Sequence, residues 1–180
     1  GRADFVPVFL SDIPALFRDG TIPLDAAIVQ VSPPDRHGFC TLGTSCDAAR
    51  AAVDSAPIVI AEINAQMPRT HGNTAVPLKR LSASVNTDRP LPQHPRADES
   101  PGEARIGEVV ADLIEDRAAL QLGIGAIPDA VLRRLRNKRD LGVHTEMFSD
   151  GIVDLVEAGV APNRCKSPHV AWLCTSFITD

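Results

Sequence analysis

Apolar residues in this chain fall into two patterns. One is the short unbroken run. Ala26 to Val31 and Ile58 to Ile63 are such runs, rich in β-branched residues and bounded by polar or proline-containing segments, and they predict buried strands. Between them, Ala48 to Ser55 has helical composition and is stopped by Pro57. Ahead of the first strand, Ser11 stands where it can cap a short helix over 12–18 that closes at Gly20. Residues 86–101, NTDRPLPQHPRADESP, hold four prolines and no apolar run, which is linker composition.

The second pattern is helical periodicity, and it dominates the rest of the chain. Ser100-Pro101-Gly102-Glu103 spells a capping box with proline at the first helical position. Ile106, Val109, Val110, Leu113 and Ile114 then recur at the spacing of one helix face. Ala118 to Ile124 predicts a buried strand. Pro128 opens a helix that turns Val131, Leu132 and Leu135 inward, and Leu141-Gly142-Val143 predicts a brief strand. Ser149 caps a last helix carrying Ile152, Val153, Leu155 and Val156 and ended by Gly159, and His169 to Ile178 has strand character.

Strands that alternate with helices predict an α/β fold of two lobes, each with a mostly parallel sheet. The expected organisation is a first lobe over 1–90, a linker over 91–101 and a second lobe over 102–180. Ligands of open α/β sheets sit at the carboxyl ends of the strands. Four loops follow predicted strand ends there: 32–45, 64–77, 123–129 and 144–151.

Composition narrows the function classes. At 180 residues, 44% hydrophobic and 23% charged, the chain is globular rather than disordered. No apolar stretch approaches the roughly 18 residues of a membrane span, so no membrane partner is expected. A net charge of −5, with no Tyr and one Trp, argues against a nucleic-acid partner. Fifteen prolines point to many shaped loops. Cys40, Cys46, Cys165 and Cys174 match no zinc or CxxC spacing, and no signal peptide is seen, so reduced thiols in a cytoplasmic protein are expected, with no metal site. A start at Gly1 that runs at once into Phe5–Leu10 suggests a chain cut at its beginning.

The candidate chemistry lies in those four loops, and each candidate has a plainer alternative. In Gly123-Ile124-Gly125-Ala126-Ile127-Pro128-Asp129, two glycines let backbone approach a ligand and the helix start offers free N–H groups to an anion. The same bend could need glycine for geometry alone; it is neither GxGxxG nor a P-loop. In His144-Thr145-Glu146, a carboxylate flanked by Val143, Met147 and Phe148 could be partly desolvated and so strengthened as a nucleophile or base. It could also be, and is more simply read as, a solvated acid near the next helix start. Asp35, Arg36 and His37 beside Gly38 offer a general base or simply a structured turn. Cys40 is a weaker thiol candidate. Asn64, Gln66, Arg69, His71 and Asn73 could position a carbonyl or satisfy their own loop. Arg133 to Arg139 is a basic helix end that balances the helix dipole or meets phosphates of a long cofactor.

Several blocks together resemble a known family. LQLGIGAIPDAVL (120–132) and LGVHTEMFSDGIVDLVEAGV (141–160) closely resemble the acetyl-CoA hydrolase/CoA-transferase family, which includes 4-hydroxybutyrate and butyrate–acetate CoA-transferases. PVFLSDIPALF (7–17), VSPPDRHGFCTLGTSCD (31–47) and AEINAQMPRTHGN (61–73) resemble its first domain, in order and over nearly the whole chain. The resemblance implies two related α/β domains with the active site between them. It implies Glu146 as the nucleophile, in the H-[ST]-E-M block. It implies a CoA-contacting turn at Gln121, Gly123, Ile124, Gly125, Ala126 and Ile127, and a facing wall that includes Asn64, Met67 and Pro68. The implied partners are acyl-CoA, as a substrate rather than a resident cofactor, and a small carboxylic acid; homo-oligomerisation is left open.

The activity implied is CoA transfer between an acyl-CoA and a short-chain acid through a glutamyl-CoA thioester, or acetyl-CoA hydrolysis by the same nucleophile. Two departures stand out. Arg117 occupies a position where the family commonly has Gly, and APNRCKSPHVAWLC (161–174) matches poorly before Thr175-Ser176-Phe177-Ile178 looks like the family again. The family's downstream glycine-rich loop is absent, so a truncated second lobe is expected. That supports an alternative: a non-catalytic relative that acts as a binding or interaction module.

Overall fold

In a computed structural model, residues 3, 5–93, 98–165, 175 and 177–178 are described. The chain divides into two compact units, Gly1–Leu91 and Pro92–Asp180.

In the first unit, helix α1 (Ile13–Arg18) follows a 3-10 turn, Leu10–Asp12. Ser11 lies inside that turn rather than capping α1; Asp12 takes the cap position and no side chain closes it. The turn forms one residue too early for the serine to reach the free N–H groups. Strand β1 (Ala26–Val31) and strand β3 (Ile58–Asn64) flank strand β2 (Phe39–Thr41) and helix α2 (Asp47–Ser55) in the sequence. Strand β4 (Ala75–Pro77) and strand β5 (Ala83–Thr87) come next. The sheet order is β1-β3-β5. Both pairings are parallel, with Ala26 opposite Ile58 and Ile60 opposite Ala83. β2 and β4 form a separate antiparallel pair, with Cys40 opposite Val76.

Three of these strands were not expected from the sequence. β2 and β4 are each three residues long and sit among the glycines and prolines of predicted loops. β5 runs Ala-Ser-Val-Asn-Thr and is mostly exposed at the sheet edge, so it carries no apolar signature; it includes Asn86 and Thr87 of the proline-rich stretch. Alternation along β1 and β3 sends Ala27, Val31, Val59 and Ala61 into a core shared with Leu42, Val53 and Val76. The opposite face presents Ile28, Ile58, Ile60 and Val85 outward.

In the second unit, helix α3 (Pro101–Leu113) begins with the expected capping box. The Ser100 side chain accepts from the Glu103 N–H, and the Glu103 carboxylate accepts from the Ser100 N–H at 2.7 Å. α3 crosses helix α4 (Ala126–Arg133) at Gly107, where a Cβ would come within 2.7 Å of the Ala130 carbonyl oxygen. Strand β6 (Ala119–Leu120) pairs in parallel with strand β7 (Gly142–Val143), and strand β8 (Met147–Phe148) with strand β9 (Phe177–Ile178). Helix α5 (Asp150–Glu157) ends in a Schellman motif: the Val160 N–H donates to the Leu155 carbonyl, the Gly159 N–H to that of Val156, and Gly159 takes φ +73°. Leu132, Leu135, Leu141, Val143, Ile152 and Leu155 form this unit's core, each contributing about 2 kcal/mol of burial.

Several boundaries differ from the sequence pattern. The strand expected over 118–124 is paired only at Ala119–Leu120, because beyond Leu120 the backbone leaves the ladder for the glycine bend. α4 starts at Ala126 with Gly125 at the cap, which makes Pro128 the third helical residue. That position tolerates proline equally, since first-turn N–H groups have no partner within the helix. Ser149 does stand at the cap of α5, yet its hydroxyl donates to Asp129 Oδ1 at 3.4 Å instead of capping. Of the strand expected over 169–178, the paired part is Phe177–Ile178; residues 169–174 and 176 lie outside the described residues.

Candidate active site

The carboxyl ends of β1, β3 and β5 gather the polar residues of the first unit. Glu62, near the end of β3, receives the Arg89 guanidinium on both oxygens, the Thr87 hydroxyl at 2.7 Å and the Gln30 amide at 3.1 Å. Those bonds, Arg89 foremost, hold its carboxyl at about 2 instead of the usual 4.5. Asn64, the next residue on that face, is fully buried. Its Nδ2 donates to the Arg89 carbonyl at 2.9 Å and to Gln30 Oε1 at 3.4 Å, and its Oδ1 accepts from the N–H groups of Gln66 and Arg89. Gln66 in turn donates to Asp88. Met67 is buried beneath Gly43, whose φ is +66° and where a Cβ would strike the methionine sulfur; Pro68 is exposed.

Asp35 is a turn residue. Its carboxylate accepts the backbone N–H groups of His37 and Phe39, each at 2.9 Å, and pairs with Arg69 at 2.7 Å. The Phe39 bond is the main reason its carboxyl lies below the usual range. Gly38 supplies the positive φ, +78°, that this turn requires. Arg36 donates to His37 Nε2 at 3.1 Å. Cys40 is fully buried in the core, and burial pushes its thiol up, so it cannot serve as the nucleophile. Burial likewise raises the thiol of Cys46.

The second unit is arranged differently. β6 and β7 end side by side, so the bend from Gln121 to Ile127 lies next to His144-Thr145-Glu146. The His144 N–H donates to the Leu120 carbonyl at 2.9 Å. Thr145, 5% exposed, closes the junction: its hydroxyl accepts from the Leu122 N–H at 2.9 Å and donates to the Leu122 carbonyl at 2.8 Å. Beyond Glu146 the chain enters β8, and the Glu146 carbonyl accepts from the Thr175 hydroxyl at 3.0 Å.

The Glu146 side chain is exposed, and its carboxylate has no hydrogen-bond or ion-pair partner among the described residues. Of the two readings open for this carboxylate, the structure fits the solvated one: Val143, Met147 and Phe148 do not shield it. Val143 and Thr145 point into the core, so alternation turns His144 and Glu146 outward. In the bend, Gln121, Gly123, Ile124, Gly125 and Ile127 are exposed and Ala126 half-buried. Gly125 takes φ +108° and ψ −175°, and no side chain caps the first N–H groups of α4.

Of the basic run, Arg134 is engaged by Glu99 at 2.6 Å and by the Ala130 carbonyl, and Arg133 lies 3.6 Å from Glu99. Arg136 is exposed beside an open groove between α4 and α5 that Asp129 and Asp154 also line. Among the described residues, no group of three His, Cys, Asp or Glu side chains could hold a metal ion, and no helix is long and apolar enough to cross a membrane. The pattern of candidate residues gave Thr145 no role of its own; its tie to Leu122 comes from where it sits and not from its type. It also missed the Glu62–Arg89 pair, whose partners come from three different strands or their ends.

Residues 1–95 match the acetyl-CoA hydrolase/transferase N-terminal domain. The chain is 46% identical to a succinyl-CoA:acetate/propanoyl-CoA:succinate CoA transferase of Fasciola hepatica, with 99% of this chain and 37% of that protein covered. It is 46% identical to 4-hydroxybutyrate coenzyme A transferase of Clostridium kluyveri, with 99% of this chain and 42% of that protein covered. Among solved structures, 4-hydroxybutyrate CoA-transferase from Porphyromonas gingivalis superposes with a TM-score of 0.88 at 44% identity, covering 94% of this chain and 43% of that one. The chain thus spans about two fifths of the length of these relatives.

Proposed function

This chain belongs to the acetyl-CoA hydrolase/transferase family, and from that premise we propose that it carries the nucleophile of a CoA transfer between an acyl-CoA and a short-chain carboxylic acid. The observation that supports this reading best is the unpartnered Glu146 carboxylate, tied by Thr145 to the glycine bend at a pair of strand ends. The names of the relatives point to acetate, propanoate, succinate and 4-hydroxybutyrate as the scale of the acyl group.

In this reaction the Glu146 carboxylate attacks the thioester carbonyl of the acyl-CoA. The C–S bond breaks, CoA leaves as its thiolate, and an acyl-glutamyl anhydride remains. The thiolate then attacks the glutamyl carbonyl, which releases the acid as its carboxylate and forms a glutamyl-CoA thioester. An incoming carboxylate attacks that thioester to give a new anhydride, and the thiolate returns to the incoming acyl group, which restores Glu146. If water takes the place of the incoming acid, the outcome is hydrolysis. Gln121 and the turn Gly123-Ile124-Gly125-Ala126-Ile127 are assigned to CoA, with backbone N–H groups meeting the negative charge that develops on the thioester oxygen. Asn64, with every polar atom engaged inside its own unit, is assigned to holding the 64–68 loop, and exposed Pro68 to its surface.

An exposed carboxylate leaves the exclusion of water to the bound acyl-CoA and the rest of the protein. Binding energy from the distant part of CoA drives the exchange. The test uses the intact protein with acetyl-CoA and a labelled acid, followed by hydroxylamine or borohydride and peptide mass spectrometry. Exchange together with a mass change at Glu146, both lost in Glu146→Gln, is expected. Exchange that survives in Glu146→Gln refutes the assignment.

A further inference from the structure

We infer that Gly107 is a positioning residue for the CoA turn: by letting α3 lie against the backbone of α4, it sets where the first turn of α4 stands. The inference rests on the reading that Gln121 and the turn Gly123-Ile124-Gly125-Ala126-Ile127 contact CoA. Beyond the Thr145 tie at Leu122, that turn has little of its own to hold it. Most of it is exposed, and no side chain caps the helix that follows. Its place therefore depends on α4, which is buried at Ala130, Val131 and Leu132. Each neighbouring helix meets that buried stretch through a glycine. Gly107 of α3 faces Ala130, where a Cβ would lie 2.7 Å from the carbonyl oxygen and 3.0 Å from the alanine Cβ. Gly151 of α5 faces Leu132, where a Cβ would lie 2.9 Å from the leucine Cδ1.

The two contacts differ in what a methyl group would displace. At Gly151 it is the far end of a leucine side chain, which can turn away. At Gly107 it is main chain, so the helix itself must move. Ordinary contact begins at about 3.4 Å, so α3 and α4 would part there by about 0.7 Å. Ala130 is one helical turn from Ala126, and a helix is stiff over a single turn, so the displacement reaches the CoA turn. A second contact fastens the same carbonyl. The Arg134 guanidinium donates to it at 2.7 Å and to the Glu99 carboxylate at 2.6 Å, and Glu99 directly precedes Ser100, the cap of α3. The ion pair thus ties the two helices together, while the bare backbone at Gly107 sets the spacing between them, which depends on the side chains at the crossing. Binding of CoA by backbone groups is sensitive to that spacing, because a main-chain N–H cannot re-aim as a side chain can.

The experiment compares Gly107→Ala with Gly151→Ala in the intact protein, by KM for acyl-CoA, KM for the acid and the dissociation constant of CoA, with the thermal midpoint as the check on folding. Both variants add one methyl group to a helix, and both crowd α4; only the first presses on its main chain. The expected result is a rise of about tenfold in KM for acyl-CoA and in the CoA dissociation constant for Gly107→Ala, against less than about twofold for Gly151→Ala, with KM for the acid little changed in either. If Gly107→Ala does not fold, Ala130→Ser, which adds one atom from the α4 side of the same crossing, takes its place. An unchanged KM for acyl-CoA in the variant at the crossing, or an equal rise in Gly151→Ala, overturns the inference. Hydrogen exchange of the peptide over 121–127, with and without CoA, tests the premise separately. No protection by CoA in the unaltered protein overturns the CoA reading of the turn, and this inference with it.

Discussion

Glu62 and Glu146 are both carboxylates at the carboxyl end of a short parallel ladder, one in each unit. Their surroundings are opposite. Glu62 accepts from Arg89, Thr87 and Gln30, all brought to it by β1, β5 and the residues just past β5. Glu146 has its backbone held on both sides, through Thr145 and through the Thr175 hydroxyl, while its carboxylate meets nothing in the described residues. In the first unit the side chain is locked and the charge neutralised by a partner. In the second the main chain is locked and the charge is presented. A carboxylate that receives four hydrogen bonds is a poor nucleophile, because those bonds stabilise the very lone pairs that must attack. The same residue type, within one strand and just past another, thus stands in two environments, set by whether its neighbours bond the side chain or the backbone.

Exchanging the two acids for amides breaks this comparison most directly. Glu146→Gln is expected to lower CoA exchange by about a thousandfold or more, while Glu62→Gln keeps exchange and instead lowers the thermal midpoint at neutral pH. Exchange assays and thermal unfolding on the same preparations separate the two. The opposite result, activity lost at 62 and kept at 146, reverses the roles.

Acid titration sharpens the contrast further. The Glu62 carboxyl titrates at about 2 in the folded chain against the usual 4.5. A folded-state value below the unfolded one means stability that is present above about 4.5 and is lost as pH falls from 4.5 toward 2. The gap in thermal midpoint between the unaltered chain and Glu62→Gln should therefore be constant above about pH 5, shrink as the pH falls below about 4.5 and close only toward about 2. A gap that holds its full size at the acid end means that the Arg89 pair is not its source.

How much of this the sequence revealed depends on how local each determinant is. The capping box at Ser100 and Glu103, the buried runs β1 and β3, and the glycine at 159 are specified within a few residues, and they form where the pattern places them. β5 is illegible because an edge strand of Ala, Ser, Val, Asn and Thr buries almost nothing, and its identity comes from the β3 backbone beside it. The candidate site divides along the same line. Glu146 and the Gly123–Ile127 bend lie within contiguous blocks. The tie from the Thr145 hydroxyl to Leu122, twenty-three residues away, is set by the fold and not by the local sequence. The sequence left the exposure of Glu146 open because apolar neighbours along the chain need not be neighbours in space; strand alternation sends Val143 and Thr145 inward and the carboxylate outward.

The smallest effect concerns a third carboxylate, which extends the comparison to a helix start. Glu103 is engaged like Glu62, though by backbone: the Ser100 N–H donates to it at 2.7 Å and draws its carboxyl below the usual range. Ser100→Ala leaves that bond in place, since its donor is main chain, and removes only the reciprocal one from the Glu103 N–H to the serine hydroxyl at 3.3 Å. The expected loss is about 1 kcal/mol by urea denaturation, and Ser100→Gly should lose only a few tenths, because an uncovered N–H beside glycine is hydrated more freely. Ser100 stands at φ −76° and ψ 159°, a backbone state open to both replacements, so conformational strain contributes to neither. No loss in Ser100→Ala would mean that the hydroxyl bond is not what stabilises this helix start, and that the Glu103 half of the box carries it alone.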